Sequence, residues 1–161
     1  MARLIVGAGR LTGDPVCGCT KRYPNPRLCE GDITCDIDPT TDPHILWDFS
    51  QAVDLDKIPL VTEIYFEAIP YTIFLPDEET FAQSVAVINC AEILDRVKGG
   101  TVNILTGQAP WDYIGAMFLR AGFTMPRWAL QYIRGKDRLV YSCEYLGRMP
   151  AWDQPYHVSD I

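Results

Sequence analysis

The 161-residue sequence has no apolar stretch long enough to cross a bilayer, so a membrane-spanning helix is not expected. Its opening residues, Met-Ala-Arg-Leu-Ile-Val-Gly, lack the long apolar core and cleavage pattern of a secretory signal, and a cytoplasmic location is expected. Basic runs are missing too. The 14 Lys and Arg are scattered among 21 Asp and Glu, for a net charge of -7. Neutralising nucleic-acid phosphates needs clustered cations, and only Lys21, Arg22 and Arg27 approach a patch, so nucleic acid is not an expected partner. Standard zinc spacing is also wanting: Cys17, Cys19, Cys29 and Cys35 follow C-x-C-x9-C-x5-C, which matches no standard knuckle. The six cysteines are expected as reduced thiols and no metal is expected, with convergence of these four on zinc as the alternative.

What remains is the composition of an ordinary globular chain, 48% apolar and 22% charged, of a size that forms one domain with its own core. Residues 3–6 read as a buried strand running into Gly7-Ala8-Gly9 and, later, Gly13. Glycines there can adopt positive φ and admit a ligand to the backbone. The third glycine is displaced from a dinucleotide fingerprint, and residues 14–31, rich in Pro and Cys, read as an irregular loop.

Two further strands are expected to end at one edge, each offering an acid: Ile33-Thr-Cys-Asp36 and His-Ile-Leu-Trp-Asp48, with Pro39 and Pro43 turning the chain between them. At the carboxyl ends of a parallel sheet, one carboxylate can accept both hydroxyls of a ribose and the other an exocyclic amine. That pattern suggests a nucleoside. The alternative makes both acids turn residues or helix N-caps, since Asp beside Pro is ordinary turn chemistry. Residues 61–66 form a nearly continuous β-rich run that delivers Glu67 and Tyr71 to the same edge, where they either meet a substrate or, respectively, stay solvated and pack.

Downstream, Pro76 and the acids after it suggest a helix start, with Phe81, Val85, Ile88, Ala91 and Val97 as its buried stripe and Gly99-Gly100 as its stop. A strand over 101–105, a helix over 111–121, and strands over 128–133 and 138–145 around a tight loop follow. The alternation predicts an α/β fold with a mostly parallel, Rossmann-like sheet and a C-terminal antiparallel hairpin. Residues 148–161 are expected as a surface tail.

In order and spacing, these segments resemble the small class I S-adenosylmethionine-dependent methyltransferases. Gly7-Ala8-Gly9 resembles the glycine-rich first motif, Asp36-Ile37-Asp38 the acid ending strand two, and Asp48-Phe49 the strand-three motif. Cys90 to Leu105 resembles the segment leading into strand five. The likeness spans residues 4–146 and implies one methyltransferase-like domain over 1–161. It implies that S-adenosyl-L-methionine is the cofactor, with Gly7, Ala8 and Gly9 at its methionine end. It also implies Asp36, with Ile37 beside it, on the ribose, Asp38 as the other ribose candidate, and Asp48 with the Phe49 amide at adenine. Glu67 and Tyr71 then stand near the acceptor, a small molecule or a protein. Acceptor choice falls to residues 14–31, 71–79, the tail, or a partner chain, whether a second copy or another protein.

Two places depart from the family pattern. Leu4, Ile5 and Val6 occupy positions where an acid usually precedes the glycines, and the usual first helix is replaced by the Pro- and Cys-rich stretch. Those departures leave a second reading, a methyltransferase-like binding or interaction module without turnover. Ala68-Ile-Pro-Tyr71 keeps only the last two residues of the amino-methylase motif Asn/Asp-Pro-Pro-Tyr, so base methylation is not expected.

Overall fold

The computed structural model describes residues 2–7, 32–67, 69–105, 108–133 and 136–148. Seven strands form one sheet: β1 (Ala2–Val6), β2 (Ile33–Asp36), β3 (Ile45–Leu46), β4 (Val61–Phe66), β5 (Thr101–Leu105), β6 (Arg127–Ile133) and β7 (Lys136–Glu144). Their spatial order is β3-β2-β1-β4-β5-β7-β6. All neighbouring pairs from β3 to β5 are parallel, whereas β7 runs antiparallel to both β5 and β6. The expected terminal hairpin is present, with its second strand inserted between β5 and the edge strand β6.

Helices α1 (Val85–Asp95) and α2 (Trp111–Arg120) pack on the sheet face that carries Leu4, Val6, Ile64, Phe66, Val102 and Ile104. Alternate residues Ile5, Tyr65, Leu105 and Val140 form a smaller cluster on the other face. The main core is threaded by aromatic rings, with Phe49 to Phe66 at 5.0 Å, Phe66 to Phe74 at 4.9 Å and Phe74 to Phe118 at 5.8 Å between centroids. Among the described residues no helix is long and apolar enough to cross a membrane.

Two expectations need correction. The helix expected from Pro76 starts at Val85: Asp77 closes a turn by accepting from the Glu79 and Thr80 amides, and Phe81 sits at φ 57°. Ser84 is the true N-cap, its hydroxyl oxygen accepting from the Val87 amide at 3.2 Å. Of the expected stripe only Ala91 is buried and Val97 half-buried, whereas Phe81, Val85 and Ile88 are exposed; the buried face is Ala86, Val87, Asn89, Cys90, Ala91, Ile93 and Leu94. Second, β3 is not a buried strand but a two-residue edge with Leu46 exposed. Beside it the His44 ring substitutes for a longer ladder, its Nδ1 accepting from the Thr34 amide at 3.0 Å.

Gly100, expected as a helix stop, is required for a different reason. At φ 120°, a Cβ there would lie 2.5 Å from the Thr62 carbonyl oxygen, so the chain enters β5 where no side chain fits.

Candidate functional site

In the parallel register Val6 lies opposite both Cys35 and Phe66, and Asp36 opposite Leu46. The residues that follow these positions therefore share one edge. The ladder runs one step past the strands: the Gly7 amide donates to the Cys35 carbonyl at 2.9 Å, the Glu67 amide to Val6 at 3.0 Å, and the Trp47 amide to Asp36 at 3.0 Å. Between β1 and β4 the chain order reverses, β2 and β3 lying to one side and β5 to the other. In open α/β sheets such a switch point is where ligands bind, outside the carboxyl ends. Gly7, at φ 72°, and Glu67, only 3% exposed, flank it.

Asp36 ends β2 half-buried, its Oδ1 accepting from the Asp38 amide at 3.1 Å. Ile37 beside it is 65% exposed, an apolar surface next to the carboxylate. Asp38 meets the turn alternative directly. It caps the short 3-10 turn Pro39–Thr41, its Oδ1 accepting from the Thr40 amide at 2.9 Å and hydroxyl at 2.7 Å.

Asp48 lies two residues past β3, where its Oδ1 accepts from the Ser50 amide at 2.9 Å and hydroxyl at 2.7 Å. Those bonds hold its carboxyl below the usual aspartate range, so it is an anion at neutral pH. The thiol of Cys35, in contact with the Trp47 carbonyl, is pushed up to about 12, first by burial and then by the fields of Asp36 and Asp48. Both carboxylates thus act on the same sulfur through their fields. The Phe49 ring is buried against Trp47 and Phe66, away from solvent. Tyr71, half-buried, opens the 3-10 turn Tyr71–Phe74 and packs partly against the main core. Ala8 and Gly9 lie outside the described residues, as do Cys17, Cys19 and Cys29, and among the described residues no group of three His, Cys, Asp or Glu side chains is placed to hold a metal.

The sequence reading assigned no role to Asn89. On the buried face of α1, its amide nitrogen donates to the Phe49 and Gln51 carbonyls at 2.9 and 2.7 Å, and its oxygen accepts from the Val53 amide at 3.0 Å. It staples the segment that carries Asp48 to the helix layer. One signal was available, an amide within the apolar run Val-Ile-Asn-Cys-Ala of a helix. Arg96, at the other end of α1, holds the Leu55, Ile58 and Pro59 carbonyls just ahead of β4.

A cavity of about 380 Å³ lies at the opposite edge of the sheet, between Thr101 at the start of β5 and Glu144 at the end of the reversed β7. It does not touch the carboxyl edge where the acids gather.

These features define a mixed α/β protein with a seven-stranded, mostly parallel sheet whose chain order reverses between β1 and β4. Among solved structures, the chain is similar to the CMeT domain of the citrinin polyketide synthase, with a TM-score of 0.51 and 14% identity over 92% of this chain and 47% of that one. The likeness is one of fold, and this chain spans about half the length of that structure. No family model matches the sequence, and no curated protein matches it.

Proposed function

We propose that this chain is an S-adenosylmethionine-dependent methyltransferase of the class I type that holds its cofactor at the carboxyl edge of β1 to β4. The observation that carries the reading is the placement of Asp36 at the end of β2 and of Asp48 two residues past the neighbouring β3, at the carboxyl edge one strand from the switch point. The donor set fits. Asp36 offers a carboxylate for a ribose diol, Asp48 an anionic acceptor for an adenine amine, Ile37 an apolar surface for the base, and Gly7 a backbone without a side chain. When bound, the cofactor supplies an electrophilic methyl group on a sulfonium.

The chain's own part is positioning and exclusion of water. Glu67, buried beside Gly7, orients the acceptor and takes up its proton, while Tyr71 borders the acceptor side. The acceptor is a small molecule or a protein, in the cytoplasm.

A second reading, a binding module without turnover, is favoured by the turn bonds that already engage Asp38 and Asp48. Titration calorimetry with S-adenosylmethionine decides first: no binding at millimolar cofactor ends the methyltransferase reading and leaves the module. Binding without release of S-adenosylhomocysteine from any small-molecule or peptide pool favours the module. Where turnover is found, Glu67→Gln is expected to lower kcat about a hundredfold or more with cofactor affinity unchanged. A loss of cofactor affinity instead would move Glu67 to the cofactor side.

A further inference from the structure

Away from that edge, the outer surface of the helix layer carries a groove of about 290 Å³ between α1 and the C-terminal turn of α2, with Ile88, Glu92, Arg120 and Arg148 among its walls. Among the described residues, the Nη1 of Arg120 is buried without a hydrogen-bond partner. Arg148 stands beside the Tyr145 hydroxyl, which donates to Asp95 at 2.9 Å. Glu92 shares the groove, yet among the described residues it forms no ion pair with either guanidinium. A buried cationic donor left unmade is costly, and such orphans in a native protein call for an explanation.

Beside the groove lies the apolar surface left by the outward phase of α1. Val85 and Ile88 are exposed one turn apart, and Phe81 just ahead of the helix is 59% exposed. Scattered apolar residues need no explanation, but here an apolar row that loses by facing water lies near a guanidinium nitrogen that loses by being buried without an acceptor.

We propose that this groove is the docking site of a partner polypeptide that inserts one carboxylate side chain between Arg120 and Arg148 and lays apolar side chains over Phe81, Val85 and Ile88. Charge complementarity selects the carboxylate, because a guanidinium fork matches its two oxygens. The chain's net charge of -7 restricts the rest of the partner. A run of acids is repelled at long range, so the partner segment is mainly apolar with a single acid. Small anions use only the arginines and leave the apolar row bare.

The test uses the full chain and two labelled 12-residue peptides, identical leucine- and alanine-rich segments with either Glu or Gln at the centre, read by fluorescence anisotropy. The Glu peptide is expected to bind about tenfold tighter or more than the Gln peptide, from the added charge-assisted bonds. Arg148→Gln and Arg120→Gln should each erode that ratio, and Ile88→Asp, an exposed change that does not depend on the core, should weaken both peptides. The proposal is overturned by equal binding of the two peptides, by no binding of either at millimolar concentration, or by complete competition from inorganic phosphate with Ile88→Asp silent, which marks a small-anion site. Concentration-dependent dimerisation of the chain, abolished by Ile88→Asp, would overturn it in favour of self-association.

Discussion

Replacing Asp36 with alanine is expected to weaken S-adenosylmethionine binding by about a hundredfold or more. Two hydroxyls donating to one carboxylate form charge-assisted bonds of roughly 1.5–3 kcal/mol each, and every 1.4 kcal/mol is tenfold in affinity. The side chain is half-buried at the end of β2, outside the buried core, and its Oδ1 accepts from the Asp38 amide, so truncation removes ligand contacts while disturbing little of the core. Melting temperature should therefore move by only a few degrees, of the order given by about 1 kcal/mol in a chain of this size. Asp36→Asn keeps an acceptor oxygen without the charge and should fall between wild type and alanine. Asp38→Ala provides the contrast: it removes the cap of the Pro39–Thr41 turn and should affect stability more than cofactor binding. Calorimetry on the three variants separates the roles. If Asp36→Ala binds cofactor as tightly as wild type, the ribose assignment is wrong.

Much of the sheet was legible because its strands advertise themselves. Val61–Phe66 and Thr101–Leu105 are β-branched or aromatic runs with clear punctuation, and their limits match the expectation. The acid at the end of β2 was legible for the same reason, since a strand that stops on a carboxylate gives that carboxylate an address, whereas β3 stops at Leu46, two residues short of Asp48.

The helix layer was harder to read. Around α1, apolar residues populate both the inner face, at Val87, Cys90 and Leu94, and the outer one, at Val85 and Ile88, so a 3.6-residue period fits either phase. The Pro-acid signature at residues 76–79 resembles a helix start, but the Asp77 carboxylate spends its acceptor capacity on a turn, and Phe81 at positive φ breaks the path before Ser84 begins the helix. The insertion of β7 between β5 and β6 could not be read locally either. A hairpin fixes that two strands pair but not which of them faces the rest of the sheet.

Asn89→Leu is expected to destabilise the fold by about 3 kcal/mol and to weaken cofactor binding as a consequence. Leucine has the same number of side-chain heavy atoms and the same branching, so no cavity is left and the main cost is the lost hydrogen bonding: the Phe49 and Gln51 carbonyls and the Val53 amide lose their partner together. Each buried group left unsatisfied costs about 1–3 kcal/mol, with partial rehydration of the loop keeping the sum at the lower end. For a chain of this length that lowers Tm by roughly 6–12 °C. Asn89→Asp should do worse. It keeps an acceptor for Val53 but brings an anion against two carbonyl oxygens that had been receiving donors. A merely structural role and a positioning role differ in what happens to the segment between β3 and β4. If Asn89 positions Asp48, amide exchange at Val53 in Asn89→Leu should accelerate far more than exchange in β4 or β5, and cofactor affinity measured well below the new Tm should still be reduced. Uniform acceleration across the sheet, with affinity intact in the folded fraction, would leave Asn89 as a core hydrogen-bonding residue with no hold on the site.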